Sequence, residues 1–455
     1  MNNLRFLALT SAFVTYLGLI AVAQTNPRPF LNQPLIPASK SPGSGAFTLM
    51  VTGTGFQPTS VVQWNRASRS TTFVSQGKLQ AAIEASDVAT ATTASISVVS
   101  PGPGGGRSND VYFPVRESSL TFHGARDVNF EPSSKAIAVG DFNNDGKLDV
   151  AEKNGLQILT YLGNGDGTFA PPVSSSSTSS ANRLFAVDLD GDGNLDLFVA
   201  DQKHDGIIFH GNGDGTFTQG RTNTGLGIGI AFAAADFNGD GMLDLILGEP
   251  DQLAGPEVQV FINNGDGTFH VSWENSPCCV SFTGLSAVGD FNGDGKLDFV
   301  NSGIVFLGQG DGTFTTDNVF YIDTNYSDAT ADVSGDGVLD LISDRGAVAL
   351  GKGDGTFTQV SDPFFAGINV SVGDINGDGA LDMTLRKIPL TGSGDQSIEI
   401  MFGNGDGTFQ DPTSGPIAPS NGELQFDQMR LGDFNNDGKL DVIVGAKRTF
   451  LLLQK

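Results

Sequence analysis

The sequence is short of cysteine, histidine and positive charge: two cysteines (Cys278 and Cys279), four histidines, and 25 Lys and Arg against 51 Asp and Glu. Each shortage excludes something. Two adjacent cysteines cannot staple separate parts of a fold; they are either a strained vicinal disulfide or two thiols, and no function follows from them. His123, His204, His210 and His270 show no metal-ligand spacing, which leaves zinc without its usual donors. A formal net charge of -26 offers no cluster of basic residues to neutralise phosphates, so nucleic acid is excluded as a partner and metal cations become the natural one. No G-x-S-x-G elbow or other nucleophile motif occurs. Distant aspartates that converge in the fold keep acid-pair chemistry open.

Long apolar runs are missing too, except at the start. Arg5 precedes an apolar stretch from Phe6 to Ala23, and Ala21-Val22-Ala23 forms an A-x-A cleavage site before Gln24. Residues 1–23 read as a signal peptide, with an uncleaved anchor as the alternative. Neither cysteine lies near the cleavage site, so lipid attachment there is excluded. No later segment is long enough to span a bilayer. The expected location is secreted or cell-surface.

What is abundant is glycine, 61 residues, and phenylalanine, 33. That composition suits an all-β protein with many tight turns. A chain of 455 residues exceeds what one core serves, so two domains or a repeat architecture is expected. The repeat is present: one nine-residue pattern begins at Asp141, Asp188, Asp236, Asp290, Asp332, Asp374 and Asp433, at intervals of 42 to 59 residues. This is the length of a four-stranded propeller blade. A second pattern, G-D-G-T-F, follows the first six copies and reads as a hairpin turn, its Asp166, Asp214, Asp266, Asp311, Asp354 and Asp406 being structural. In the first copy the strands are expected at Ala136–Phe142, Leu148–Glu152, Leu156–Leu162 and Thr168–Val173. The seventh copy ends before its fourth strand. The orphan stretch Ser119–His123 is expected to supply it, closing the ring from both chain ends.

Seven copies form an internal alignment. Position 1 is always Asp, and position 5 is Asp145, Asp192, Asp240, Asp294, Asp336, Asp378 or Asp437. Position 9 is Asp149, Asp196, Asp244, Asp298, Asp340, Asp382 or Asp441. Position 3 is Asn143, Asp190, Asn238, Asn292, Ser334, Asn376 or Asn435, oxygen donors throughout. Position 7 varies freely, as Lys147, Asn194, Met242, Lys296, Val338, Ala380 and Lys439, which suits a position that offers only its carbonyl. Position 6 is always Gly and position 8 always Leu, a turn and an anchor. Oxygen donors at 1, 3 and 5, a carbonyl at 7 and a carboxylate at 9 fit Ca²⁺, with five to seven ions per chain; Mg²⁺ demands stricter octahedral geometry. An EF-hand is excluded, because position 12 is Glu only at Glu152 and the flanks are strands. Turn propensity alone would explain Asn, Asp and Gly, but not three invariant carboxylates that repel one another in every copy. The loop with Ser334 is the weakest.

Asp141-Phe-Asn-Asn-Asp-Gly-Lys-Leu-Asp149 with Gly163-Asn-Gly-Asp-Gly-Thr-Phe169 resembles the FG-GAP/VCBS repeats of integrin α-chain propellers and their bacterial relatives, over residues 118–455. The resemblance implies a seven-bladed, calcium-binding β-propeller; it is weak for ligand, since that family holds adhesion receptors, lectins and polysaccharide-degrading enzymes. Residues 24–117 lack the repeat. Strands are expected at Phe47–Phe56, Ser60–Asn65, Ser95–Val99 and Asp110–Val115, a small β-sandwich. V-T-G-T-G-F followed by V-V-Q-W-N resembles the IPT/TIG immunoglobulin-like domain, which implies a spacer or interaction domain. Pro101-Gly-Pro-Gly-Gly-Gly106 lacks a following Gly-Lys-Ser/Thr and is a turn. The reading is a binding or adhesion module for a surface protein or glycan; a lectin or a polysaccharide-active enzyme on the same propeller is the alternative. Trp273, Tyr321 and Tyr326 are candidate aromatics for stacking on sugars. Oligomeric state is left open.

Overall fold

The computed structural model describes residues 26–32, 35–37, 39–116, 126–128, 130, 137–178, 183–200, 205–224, 232–248, 258–275, 287–301, 304–319, 327–343, 346–360, 367–387, 397–411, 428–445 and 449–454. The signal segment, Ser119–His123, His204, Cys278, Cys279, Tyr321 and Tyr326 lie outside them. All described regular structure is strand, and among the described residues no helix is long and apolar enough to cross a membrane.

Seven small antiparallel sheets follow the seven loop copies. The first runs Ile137–Gly140, Asp149–Asn154, Gln157–Tyr161 and Val173–Ser176, each strand paired with the next. Its fourth strand starts later than expected, because Pro171 and Pro172 have no N–H to give to the ladder. Only the isolated bridge between Gly163 and Phe169 marks the expected start. Where no proline follows, as at Phe217–Thr224 and Phe269–Asn275, the strand begins at the phenylalanine of G-D-G-T-F. Among the described residues the sixth sheet has three strands, with a bridge between Gly403 and Phe409 before Pro412.

The seventh sheet combines Gln428–Gly432, Asp441–Gly445 and Phe450–Leu452 with a fourth strand from far upstream, Arg126–Asp127. Arg126 pairs with Leu451 and Asp127 with Phe450. Arg126–Asp127 thus adds a fourth strand from upstream of the first sheet; the stretch Ser119–His123 expected in this role lies outside the described residues.

Five of the junctions between neighbouring sheets share one backbone bond, and at the other two a side-chain amide, of Asn263 or Gln454, reaches the same loop carbonyl. The N–H of the second glycine in G-D-G-T-F donates to the carbonyl at loop position 2 of the preceding sheet: Gly215 to Phe142, Gly312 to Phe237, Gly355 to Phe291 and Gly407 to Val333, at 2.9–3.2 Å. Gly167 of the first sheet makes this bond at 3.0 Å to Phe434 of the seventh. Apolar clusters repeat the pattern. Ala138 and Phe142 pack with Leu197 and Phe209 of the second sheet, and Ile137 and Val150 pack with Phe434, Ile443 and Leu451 of the seventh. Gly432 shows why glycine precedes the loop, since a Cβ there would stand 2.4 Å from Leu148 Cδ1 of the first sheet.

The contact between the seventh and first sheets thus has the same bond as four contacts between consecutive sheets. Phe434→Ala is expected to cost about 3–5 kcal/mol in denaturant unfolding, as is Phe291→Ala between the fourth and fifth sheets. A cost below about 1 kcal/mol for Phe434 alone would contradict the equivalence.

Upstream lie two further sheets that share one core. Phe30–Leu31, Phe47–Thr54, Lys78–Ile83 and Thr71–Ser75 form one. Ala67–Ser68, Val61–Trp64, Thr92–Ser100, Gly106–Arg107 and Val111–Val115 form the other. Leu49, Val51 and Leu79 of the first meet Val62, Trp64, Ile96 and Phe113 of the second. The four strands expected here are present, and the sequence reading missed Thr71–Ser75 and Lys78–Ile83.

Candidate metal centres

Each nine-residue loop links the first and second strands of its sheet. Position 6 has positive φ in every copy, from 82° to 95°, the conformation that requires glycine. Position 4 has it too, which explains why that position holds only Gly or Asn: Asn144 and Asn436 sit at 60° and 55°. These two left-handed residues curl the loop and turn its side-chain oxygens inward. The Oδ1 of position 5 accepts from the position 7 N–H at 2.7–2.9 Å in all seven loops. The Oδ1 of position 3 accepts from the position 5 N–H in six, at 2.8–3.1 Å. The Oδ2 of position 1 accepts from the position 6 N–H in six, at 2.7–3.2 Å.

Position 9 does something the sequence did not show. Its carboxylate is fully buried in every copy, and each oxygen accepts a backbone N–H at 2.8–3.0 Å, with a second on Asp382 Oδ2 from Asn376. Asp149, for example, takes Phe142 N–H at the loop start and Gly163 N–H at the end of the third strand. The group clamps the loop to its sheet and, except at Asp382 Oδ2, keeps one lone pair per oxygen for a cation. Burial pushes its pKa up, to about 7 at Asp149, Asp298 and Asp382, about 8 at Asp244 and Asp441, and about 6 at Asp196 and Asp340. Burial also raises position 1 at Asp141, Asp188, Asp290 and Asp374, and to about 6 at Asp236 and Asp433.

The fifth loop is irregular. There Ser334 N–H, not that of position 2, reaches Asp340, and Ser334 Oγ sits 3.3 Å from Asp332 Oδ1. The G-D-G-T-F aspartates are different again: each Oδ1 accepts the backbone N–H and hydroxyl of the threonine two residues on, as Asp214 does from Thr216. They close turns, and those threonine bonds hold Asp214, Asp311, Asp354 and Asp406 below the usual carboxylate pKa.

In the second loop the acidic groups gather most closely among the described residues. Asp188, Asp190 and Asp192 place ligand atoms within 4.8 Å of one another, as do Asp190, Asp196 and His210. Both clusters can chelate a divalent cation. His210 corrects the reading of the histidines as scattered, since its Nδ1 is 2.9 Å from Asp190 Oδ2. The signal was in the internal alignment: the other copies have Leu162, Ile262, Leu307, Leu350, Phe402 and Leu453 at this place. Trp273 is also corrected. It is half-buried and packs edge-on against Phe299, Phe306 and Phe314 between the third and fourth sheets, at 5.5–6.2 Å, so it is core rather than an exposed stacking platform.

The front pair of sheets rests on the loops. Arg28, buried, reaches Asp188 Oδ2 at 3.2 Å, and its backbone N–H donates to Asp236 Oδ2 at 2.6 Å. Arg66 donates to Asn144 Oδ1 and lies 3.6 Å from Asp141. Arg116, also buried, lies 3.6 Å from Asp374 Oδ1 and donates to Gln454 Oε1 at 2.8 Å. Three position 1 aspartates thus face an arginine from the front sheets.

The profile of the FG-GAP-like repeat matches residues 150–199, 188–247, 236–300 and 390–444. A comparison with curated proteins finds no match. Among solved structures, an exotype rhamnogalacturonan lyase is similar at 13% identity, covering 95% of this chain and 91% of that one, with a TM-score of 0.39. An auxiliary nutrient binding protein from Bacteroides ovatus is similar at 11% identity, with coverages of 94% and 98% and a TM-score of 0.37. BBS1N, in complex with ARL6DN, is similar at 9% identity, with coverages of 74% and 98% and a TM-score of 0.47.

Proposed function

We propose that this FG-GAP-like repeat protein is an exported, calcium-stabilised binding module: a closed seven-bladed propeller whose blade loops hold Ca²⁺, carrying an immunoglobulin-like domain of residues 24–117 on its loop face. The observation that carries the reading is the sevenfold repetition of an inward-turned, all-oxygen donor set on a buried carboxylate clamp. Ring closure is supported by the Gly167–Phe434 bond and by the Arg126–Asp127 strand. Export is supported by the apolar N-terminus with its A-x-A site. Bound calcium would supply positive charge where carboxylates crowd, and the chain's residues would hold it through positions 1, 3, 5 and 9 and the carbonyl of position 7. Its part is structural, and the binding surface is what the assembled propeller presents to a surface protein or glycan.

Metal analysis of the mature protein after dialysis against about 1 mM calcium tests this, at the weak affinities of extracellular modules. Five to seven Ca²⁺ per chain are expected. Two or fewer would leave the loops as turns.

A further inference from the structure

Between the front sheets and the loop face lies a chamber of about 840 Å³, and beside it a smaller one of about 290 Å³. Asp110 and Tyr112 line both. The larger chamber is floored by the first strands of three neighbouring sheets, through Val139, Ala186, Val187 and Ala234, and roofed by Phe30 and Tyr112 of the front sheets. Its size falls in the range of ligand pockets, and its place at a contact between two structural units is where such pockets concentrate.

The lining has a particular electrostatic character. Four cationic side chains face it, and each is paired with a carboxylate of the same wall: Arg28 with Asp188 at 3.2 Å, Arg66 with Asp141 at 3.6 Å, Arg107 with Asp110 at 2.6 Å and Lys147 with Asp145 at 3.4 Å. Asp236 and Asp433 line it too, without an ion pair among the described residues, and both are position 1 groups of loops proposed to hold calcium. An anionic ligand would have to break a pair and meet these carboxylates, and a cationic one would compete with the loop cation. A neutral ligand can use the paired groups as fixed donors and acceptors without breaking them. Tyr112 completes the picture. It is 36% exposed and lines both chambers, and surrounding protein raises its phenol pKa. Among the described residues its hydroxyl has no hydrogen-bond partner and its ring no aromatic neighbour.

We propose that the interdomain chamber is the ligand site of the module and takes a short neutral oligosaccharide, stacked by an apolar sugar face on Tyr112 with its hydroxyls on the paired charges. A flat ring with an apolar face and a hydroxylated rim matches an apolar floor, a free phenol and a neutralised polar wall. The proposal rests on the binding-module reading and names its ligand class and location.

The test uses the calcium-loaded mature chain and a panel of neutral tri- and tetrasaccharides of glucose, mannose, galactose and xylose, with a uronic-acid trisaccharide and an uncharged tripeptide as counter-probes. Calorimetry and saturation-transfer NMR are expected to show binding of at least one neutral saccharide at millimolar or tighter affinity. Tyr112→Ala should weaken it about tenfold or more, a loss of about 1.4 kcal/mol, and Tyr112→Phe by a smaller factor. Val271→Ser, at an exposed position on the third repeat sheet, should leave it unchanged. Calcium content is measured in every variant, so that loss of sugar binding with calcium retained is separated from failure of the loops. No binding of any neutral saccharide up to about 10 mM, tighter binding of the uronate or the peptide, or binding indifferent to Tyr112→Ala would each overturn the proposal.

Discussion

Stripping calcium from the mature protein at about pH 8 is expected to lower its melting midpoint by about 10 °C or more, and to expose the loops to proteolysis. At about 1 mM free calcium a site with Kd of about 0.1 mM contributes roughly 1.4 kcal/mol by linkage, and seven independent sites about 10 kcal/mol. The structure explains why so much depends on the loops. Position 9 is buried in each and ties the loop to the third strand, while position 2 receives the bond from the next sheet. A loop that opens therefore loosens both its own sheet and the contact to its neighbour. Asp290→Ala should cost more stability than Asp332→Ala, since the fifth loop already has Ser334 and a shifted bond to Asp340. Scanning calorimetry with and without a chelator checks both. A melting curve unmoved after the metal is shown to be gone would contradict a structural role for it.

The second large effect is an inversion of pH dependence. In chelator, the protein is expected to melt higher near about pH 5 than near about pH 8; with calcium present, the difference should shrink or reverse. The cause is burial of the position 9 carboxyls, which lifts Asp149, Asp298 and Asp382 to about 7 and Asp244 and Asp441 to about 8 from the ordinary carboxyl value of 3.8. Between those limits the folded chain holds protons that the unfolded chain has released. The stability they contribute is full below about 4 and is lost as pH rises through about 6 to 8, where the folded groups finally ionise without a counter-ion. Bound calcium would supply that counter-ion and displace the proton, so its affinity should rise over the same interval. Melting of the metal-free protein that stays level or climbs from about pH 5 to about pH 8 would show that these carboxyls are not held protonated.

Much of the molecule was legible because its information is local. A loop of nine residues encodes its own turn through Gly at position 6, its oxygens through Asp and Asn, and its anchor through Leu at position 8. Seven copies make the sheet count readable, and turn residues divide the strands. Locality also sets the errors: a pattern shared by all copies hid Pro171-Pro172, which delays one strand, and an average over copies hid His210, which departs from the others.

The sequence by itself determined the all-β class, the sevenfold repeat, the donor set of each loop and the need for a fourth strand from upstream. Only the tertiary structure decided that position 9 spends both oxygens on backbone N–H groups, that Trp273 is packed between sheets, and that His210 stands beside Asp190. It also decided that Arg28 and Arg116 reach aspartates 160 and 258 residues further along the chain, setting the front sheets over the loops with a chamber between them. The physical reason is separation along the chain. Turn chemistry acts over a few residues and leaves a readable pattern, whereas an ion pair or a cavity wall forms between segments whose meeting depends on how the whole chain packs, and no local preference marks either partner for the other.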